Sequence, residues 1–115
     1  MVTIDNTKTT APDVSASAVS GGKIYARFDH SFIDTWVGEE REFSFRFAKP
    51  DKTAIKLFQK AAGRDTSNAS RNMLVSHIHP DEKAAFLAAI DDYPGLITSY
   101  IGALMKGVGL ADLGN

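Results

Sequence analysis

Two histidines separated by one residue are the side chains of this sequence best suited to metal chemistry. His77 and His79 are followed closely by Asp81 and Glu82, and zinc accepts both imidazole nitrogens and carboxylate oxygens as ligands. A small metal-binding protein or enzyme centred on His77 and His79 is therefore one hypothesis. The spacing disfavours it, because a separation of two across a helix end places the rings on different faces, and zinc sites need three or four ligands. We expect no metal site and no cofactor.

The other polar residues do not form a catalytic set. Asp91 and Asp92 are adjacent, but they are predicted to lie at a helix end, where acidic residues commonly cap the helix or face solvent. The serines at positions 67, 70 and 76 belong to no nucleophile motif. No glycine-rich segment leads from a strand into a helix, as a phosphate-binding loop requires. We therefore assign no catalytic residue and expect a protein that is not an enzyme and has no small-molecule substrate.

Composition limits the classes of partner. The chain has 115 residues, 13 of them basic and 14 acidic, and no cysteine, which fits one domain. The basic residues are scattered rather than gathered into a stripe, so no nucleic-acid partner is expected. No apolar segment approaches the roughly 20 residues that span a bilayer, and the amino terminus lacks the pattern of a signal peptide. We expect a cytoplasmic protein that does not enter a membrane.

The clearest structural pattern is the alternation of apolar and polar residues over positions 41–47. It predicts a half-buried strand whose apolar face consists of Phe43, Phe45 and Phe47. A single strand is not stable alone, so residues 23–37 are expected to supply its antiparallel partner, with Gly38 near the turn. Residues 1–22 contain no aromatic side chain and too little apolar surface to offset the entropy of ordering. This predicts a flexible amino-terminal tail over 1–22 and a single α+β domain over 23–115.

Four helices are predicted after Pro50. Apolar spacing, glycines and prolines place them at about 51–62, 67–77, 80–93 and 94–107. The fold class is therefore α+β, with a small antiparallel β-sheet or hairpin followed by a compact unit of about four α-helices. The residues at the centre of each apolar stripe are expected to form one buried cluster, namely Phe45, Phe58, Phe86 and Tyr100.

The fourth predicted helix carries the candidate partner surface. Its apolar stripe is broad enough to serve both the core and a partner, and the candidate contact residues are Ile97, Ile101 and Met105. Burial of the whole stripe in the core is the simpler alternative. Gly102 interrupts the opposite side of this helix, where a glycine costs about 1 kcal/mol relative to alanine. We therefore expect another backbone to approach closely at Gly102.

The order of these segments resembles small tail assembly chaperone-type proteins of tailed bacteriophages and prophages. The resemblance covers about residues 40–110 and rests on loose, mostly apolar motifs. They are Glu42-Phe43-Ser44-Phe45-Arg46-Phe47-Ala48-Lys49-Pro50, then Arg71-Asn72-Met73-Leu74-Val75 before His79-Pro80, and then Tyr93-Pro94-Gly95-Leu96 before an apolar helix with Gly107.

The resemblance implies a non-enzymatic helper that binds the long helical tape-measure protein in the host cytoplasm. Such a helper keeps its partner soluble until tail-tube subunits polymerise around it. The role requires an apolar groove or helix face of moderate affinity, and self-association into a homo-oligomer would add avidity. The alternative is a structural tail or virion component, which would form a symmetric oligomer and remain in the finished particle.

Overall fold

The computed structural model describes residues 18–20 and 23–110, which form an α+β fold of one sheet followed by four α-helices. The strands are β1 (Ala18–Ser20), β2 (Lys23–Asp34) and β3 (Glu39–Ala48). The helices are α1 (Lys52–Ala62), α2 (Thr66–His77), α3 (Lys83–Asp92) and α4 (Gly95–Gly107). A 3₁₀ turn, Pro80–Glu82, precedes α3. The predicted fold class is confirmed. Within the described ranges, no helix has the length and apolar character needed to cross a membrane.

The sheet is antiparallel in the order β1-β2-β3, and its main part is the predicted hairpin. Phe28 of β2 lies opposite Phe45 of β3, and Gly38 closes the loop between them with a φ of 73°, a left-handed conformation that glycine adopts without strain. Within the segment 1–22, which is predicted to be a flexible tail, Ala18–Ser20 pairs with the start of β2 as β1. The remainder of that segment lies outside the described residues, as do residues 111–115.

The core lies between one face of the hairpin and the helices. Phe86 of α3 is fully buried, and its ring centroid lies 5.2 Å from that of Phe45 and 5.4 Å from that of Phe47. Tyr100 of α4 packs 5.5 Å from Phe47, and Phe58 of α1 belongs to the same buried cluster. The predicted grouping of Phe45, Phe58, Phe86 and Tyr100 is confirmed.

Aspartate caps fix the starts of the first two helices. Asp51 accepts a 2.8 Å hydrogen bond from the backbone N–H of Ala54 at the start of α1. Asp65 accepts a 3.1 Å bond from the N–H of Asn68 at the start of α2. Each cap satisfies one of the N–H groups that the first turn of a helix leaves without a partner.

The segment between α2 and α3 ties the helices to β3. Ile78 forms a β-bridge with Phe47, and the N–H of His79 donates to the carbonyl of Arg46 at 2.9 Å. The carboxylate of Glu82 accepts from the backbone N and the Nε of Arg46, at 2.6 and 2.8 Å. Glu82 has the non-helical φ and ψ of −110° and 0°. The predicted third helix is therefore divided into the 3₁₀ turn and α3.

Helix α4 does not present the partner surface that its sequence predicts. Ile101 is only 3% exposed and Met105 is fully buried, so the prediction is wrong for these two residues. Ile97 is half-buried against the same core. The reason is that α4 packs against α2, α3 and β2 together, which covers most of its apolar stripe. The expected close approach at Gly102 is also wrong, since a Cβ there would meet no atom within 4 Å.

Candidate protein-binding site at the hairpin tip

Three large apolar side chains are exposed where β2 and β3 are joined. Trp36 is 93% exposed, Ile33 is 66% exposed and Val37 is 55% exposed. Side chains of this kind are usually buried in monomeric proteins, and tryptophan is enriched among the residues that dominate binding energy in protein interfaces. We call Ile33, Trp36 and Val37 the tip cluster, and it is the candidate site for a protein partner.

The loop that carries Trp36 is held in shape by Asp34. The N–H of Gly38 donates to the backbone carbonyl of Asp34 at 2.7 Å. The N–H of Trp36 donates to the Oδ1 of Asp34 at 3.0 Å, the short-range bond by which aspartate stabilises turns. The loop backbone therefore has a defined conformation while the indole ring remains in solvent.

Asp34 also connects this loop to the corner between α3 and α4. The hydroxyl of Tyr93 donates to the Oδ2 of Asp34 at 2.6 Å, and the Nε of Arg41 donates to the Tyr93 hydroxyl at 3.1 Å. The Nη2 of Arg41 lies 3.5 Å from the Oε1 of Glu39. We call Asp34, Tyr93 and Arg41 the latch, because they fasten the hairpin tip to the helical unit.

The latch shifts the pKa of each of its members. The hydrogen bond from Tyr93 lowers the pKa of Asp34, and the hydrogen bond to Asp34 raises the pKa of Tyr93. The bond to Tyr93 raises the pKa of Arg41. These directions favour a carboxylate, a neutral phenol and a guanidinium together near neutral pH. The hydrogen bonds of the latch therefore form between the protonation states that Asp34, Tyr93 and Arg41 have near neutral pH.

A groove of about 390 Å³ lies between the tip and the α3–α4 corner. Phe32 and Trp36 line it from the hairpin, and Tyr93, Pro94 and Leu96 line it from the corner. The rings of Phe32 and Tyr93 meet edge to face with centroids 5.0 Å apart. A concave, mainly apolar space next to an exposed tryptophan suits the apolar side chains of a partner.

The outer face of the hairpin is polar away from the tip. The Nη1 of Arg27 donates to the Oγ of Ser44 at 3.0 Å, and this hydroxyl donates to the Oδ1 of Asp29 at 2.6 Å. These polar side chains satisfy one another across the two strands. Three of the hairpin's exposed large apolar side chains therefore lie together at its tip, whereas Ile24, which is 51% exposed, lies alone at the start of β2.

The two histidines singled out in the sequence make local contacts. The Nδ1 of His77 lies 2.8 Å from the carbonyl of Met73, four residues earlier in α2. The Nδ1 of His79 accepts from the N–H of Asp81 at 3.1 Å, and its ring packs 4.7 Å from that of Tyr25. Within residues 18–20 and 23–110, no three His, Cys, Asp or Glu side chains are arranged to hold a metal ion.

The sequence did not identify the tip cluster in advance. Residues 23–37, which include Ile33, Trp36 and Val37, are predicted only as the partner of the strand over 41–47, because hydrophobicity alone does not distinguish a strand from the loop that follows it. The available signal was Gly38, whose position near the predicted turn places Trp36 and Val37 within the loop.

Comparisons with known proteins found one matching family and a solved structure with a similar fold. The family described as "Domain of unknown function (DUF6848)" matches residues 22–115. A similar solved structure is that of the uncharacterised protein rbstp2171 from Bacillus stearothermophilus, with 26% sequence identity and a TM-score of 0.61. The similarity covers 74% of this chain and 82% of that chain. No curated protein matches the chain.

Proposed function

We propose, on the premise that this chain belongs to the DUF6848 family, that the protein is a non-enzymatic binding module for an apolar helical segment of another protein. The observation that carries the proposal is Trp36, which is 93% exposed at the tip of a hairpin. An apolar helix that packs on the tip cluster would insert side chains into the neighbouring groove. This is the helix-in-groove mode of recognition.

The size of the tip cluster and groove favours moderate, reversible binding of a partner. Full burial of a large apolar side chain contributes about 1.5–3 kcal/mol, whereas association costs several kcal/mol in lost motion before any net affinity remains. Three apolar side chains and a small groove therefore support moderate binding. The latch lowers part of the cost, because a loop that is already ordered loses little freedom when the partner docks.

The more specific proposal is a role as a tail assembly chaperone of a bacteriophage or prophage. Its support is the resemblance over about residues 40–110, together with the exposed tip cluster. In this role the protein binds the helical tape-measure protein in the host cytoplasm and keeps it soluble until the tail tube forms around it. The contact surface is the tip cluster, which replaces the surface first expected at Ile97, Ile101 and Met105.

Co-expression with the tape-measure protein of the same phage or prophage tests this function. Wild-type protein is expected to raise the soluble yield of the tape-measure protein. Trp36→Asp should abolish this effect without unfolding the protein, because the charge is tolerated in solvent but is costly in a desolvated contact. Leu57→Asp is the matched control, since Leu57 is 63% exposed on α1, outside the tip cluster.

Two results would contradict the chaperone role. The first is a tape-measure protein that remains insoluble in the presence of the wild-type protein. The second is recovery of the protein as a stoichiometric part of purified tails, which would assign it to the structural components instead.

A further inference from the structure

Acidic side chains surround the tip cluster. Asp34 and Glu39 face each other across the end of the hairpin, and Glu40 is the cross-strand partner of Ile33. Asp92, at the end of α3, lines the groove together with Trp36. The exposed apolar surface thus has carboxylates on the hairpin side and on the helix side.

Arg41, the basic residue closest to the tip in sequence, already has partners within the protein. From Asp29 through Glu42, both included, the sequence contains five acidic residues and, with histidine counted as neutral, one basic residue, Arg41. Arg41 donates to the hydroxyl of Tyr93 and lies 3.5 Å from the carboxylate of Glu39. The surroundings of the tip are therefore negative, and the charge belongs to the surface that a partner would contact.

We infer that the occupant of the tip cluster and groove is a basic amphipathic helix. Its apolar face packs on Trp36, and lysine or arginine side chains at the edges of that face pair with Glu39, Glu40 and Asp92. Complementary charge of this kind accelerates encounter and selects the correct partner. The inference rests on the proposed function and specifies the chemical character of the partner segment.

A second copy of this chain is a weaker candidate for the occupant. A symmetric tip-to-tip contact would bring the acidic groups together, which disfavours it. In a head-to-tail contact, the lysines of α1 near Leu57 could pair with the acidic groups of the tip. A stable interface needs roughly 1,000 Å² of buried surface, and Leu57, the one exposed large apolar side chain of α1, supplies only a small part of that area. A helix with a continuous apolar face supplies more contact area.

Trp36 is the only tryptophan of the chain, so its fluorescence reports directly on occupancy of the tip. The probes are two synthetic amphipathic helices of about 18 residues, or five turns, one made of leucine and lysine and the other of leucine and glutamate. The leucine–lysine helix is expected to shift the emission to shorter wavelength in a saturable manner that weakens as salt is added. An equal response to both helices, or a response to neither, would overturn the inference.

Charge reversal at the tip gives a second readout. Glu39→Lys combined with Glu40→Lys should weaken binding of the leucine–lysine helix about tenfold or more, because attraction at those positions becomes repulsion. Asp81→Lys, which removes a carboxylate that is 79% exposed in the 3₁₀ turn, is expected to change the affinity little. Asp81→Lys changes the net charge by half as much as the double variant, so a loss of binding free energy at least half as large would indicate net charge alone and contradict a site at the tip.

Two further measurements distinguish failure of the inferred basic partner from self-association of the protein and from failure of the proposed function. A shift of the Trp36 emission when the protein alone is concentrated, reversed by Lys56→Glu on α1, would assign the tip to a second copy and overturn the inference. If the tape-measure protein is solubilised through Trp36 but charge reversal has no effect, the function stands and the basic partner does not. If Trp36→Asp leaves solubilisation unchanged, the proposed function itself fails.

Discussion

The hydroxyl of Tyr93 lies 2.6 Å from the Oδ2 of Asp34 and fastens the α3–α4 corner to the hairpin loop. The same carboxylate accepts from the N–H of Trp36 through its other oxygen. One side chain therefore connects the helical unit to the most exposed aromatic residue of the described chain. The proposed binding surface is therefore ordered in the absence of a partner.

Removal of the Tyr93 hydroxyl should loosen the tip without unfolding the protein. In Tyr93→Phe the aromatic packing on Phe32 is retained while the hydrogen bond to Asp34 is lost. The amides of Trp36 and Gly38 are expected to exchange faster with deuterated solvent, because the loop opens more often when Asp34 is released. Core amides serve as the internal control. Unchanged exchange at both loop amides would mean that the latch does not order the tip.

The latch should make the free energy of unfolding depend on pH in the acid range. The folded pKa of Asp34 lies below its ordinary value of 3.8, so the stabilisation from Asp34 is fully present above pH 3.8 and is lost as the pH falls through the lower folded pKa. Urea denaturation of wild type and Asp34→Asn at several pH values measures it. The difference in free energy of unfolding should disappear at the acid end. A difference independent of pH would show that the carboxylate charge is not involved.

Phe86 is fully buried in the core. Phe86→Ala is expected to lower the free energy of unfolding by about 3–5 kcal/mol, because it removes buried surface and leaves a cavity among packed rings. Leu57→Ala, on the exposed side of α1, should change it by no more than about 0.5 kcal/mol. Urea denaturation distinguishes the two. Similar losses in both variants would contradict the assignment of Phe86 to the centre of the core.

Substitution by alanine should change the free energy of unfolding in opposite directions at Gly102 and Gly38. Gly102→Ala is expected to raise the free energy of unfolding by about 0.5–1 kcal/mol, since the added methyl meets no atom within 4 Å and alanine favours a helix interior. Gly38→Ala should lower it by about 1 kcal/mol, because the φ of 73° is unfavourable for a side chain. Destabilisation by Gly102→Ala would restore the expectation of a close contact there.

The sequence predicted the parts of the fold that depend on local periodicity. Alternation at Phe43, Phe45 and Phe47 identified β3, and the helical stripes identified four helices with nearly correct limits. The 3₁₀ turn was missed because Glu82 is held by Arg46, a contact between residues distant in sequence. The short strand β1 was missed because its pairing with β2 leaves no compositional signal.

The candidate site was less predictable than the fold. The width of the apolar stripe on α4 does not reveal how many neighbours cover it, so Ile101 and Met105 were expected at the surface although both are buried. The exposure of Trp36 could not be predicted, because an exposed tryptophan and a core tryptophan look alike in sequence. The latch joins residues 59 positions apart, and no local pattern encodes that distance.

Photo-crosslinking from position 36 tests the central claim most directly. A photoreactive phenylalanine analogue in place of Trp36, in protein co-expressed with the tape-measure protein, should form a covalent adduct with a helical segment rich in apolar and basic residues. The same analogue in place of Leu57, which is 63% exposed on α1, should give little adduct. Adducts of equal yield from both positions, or no adduct from position 36, would contradict the assignment of the hairpin tip as the binding surface.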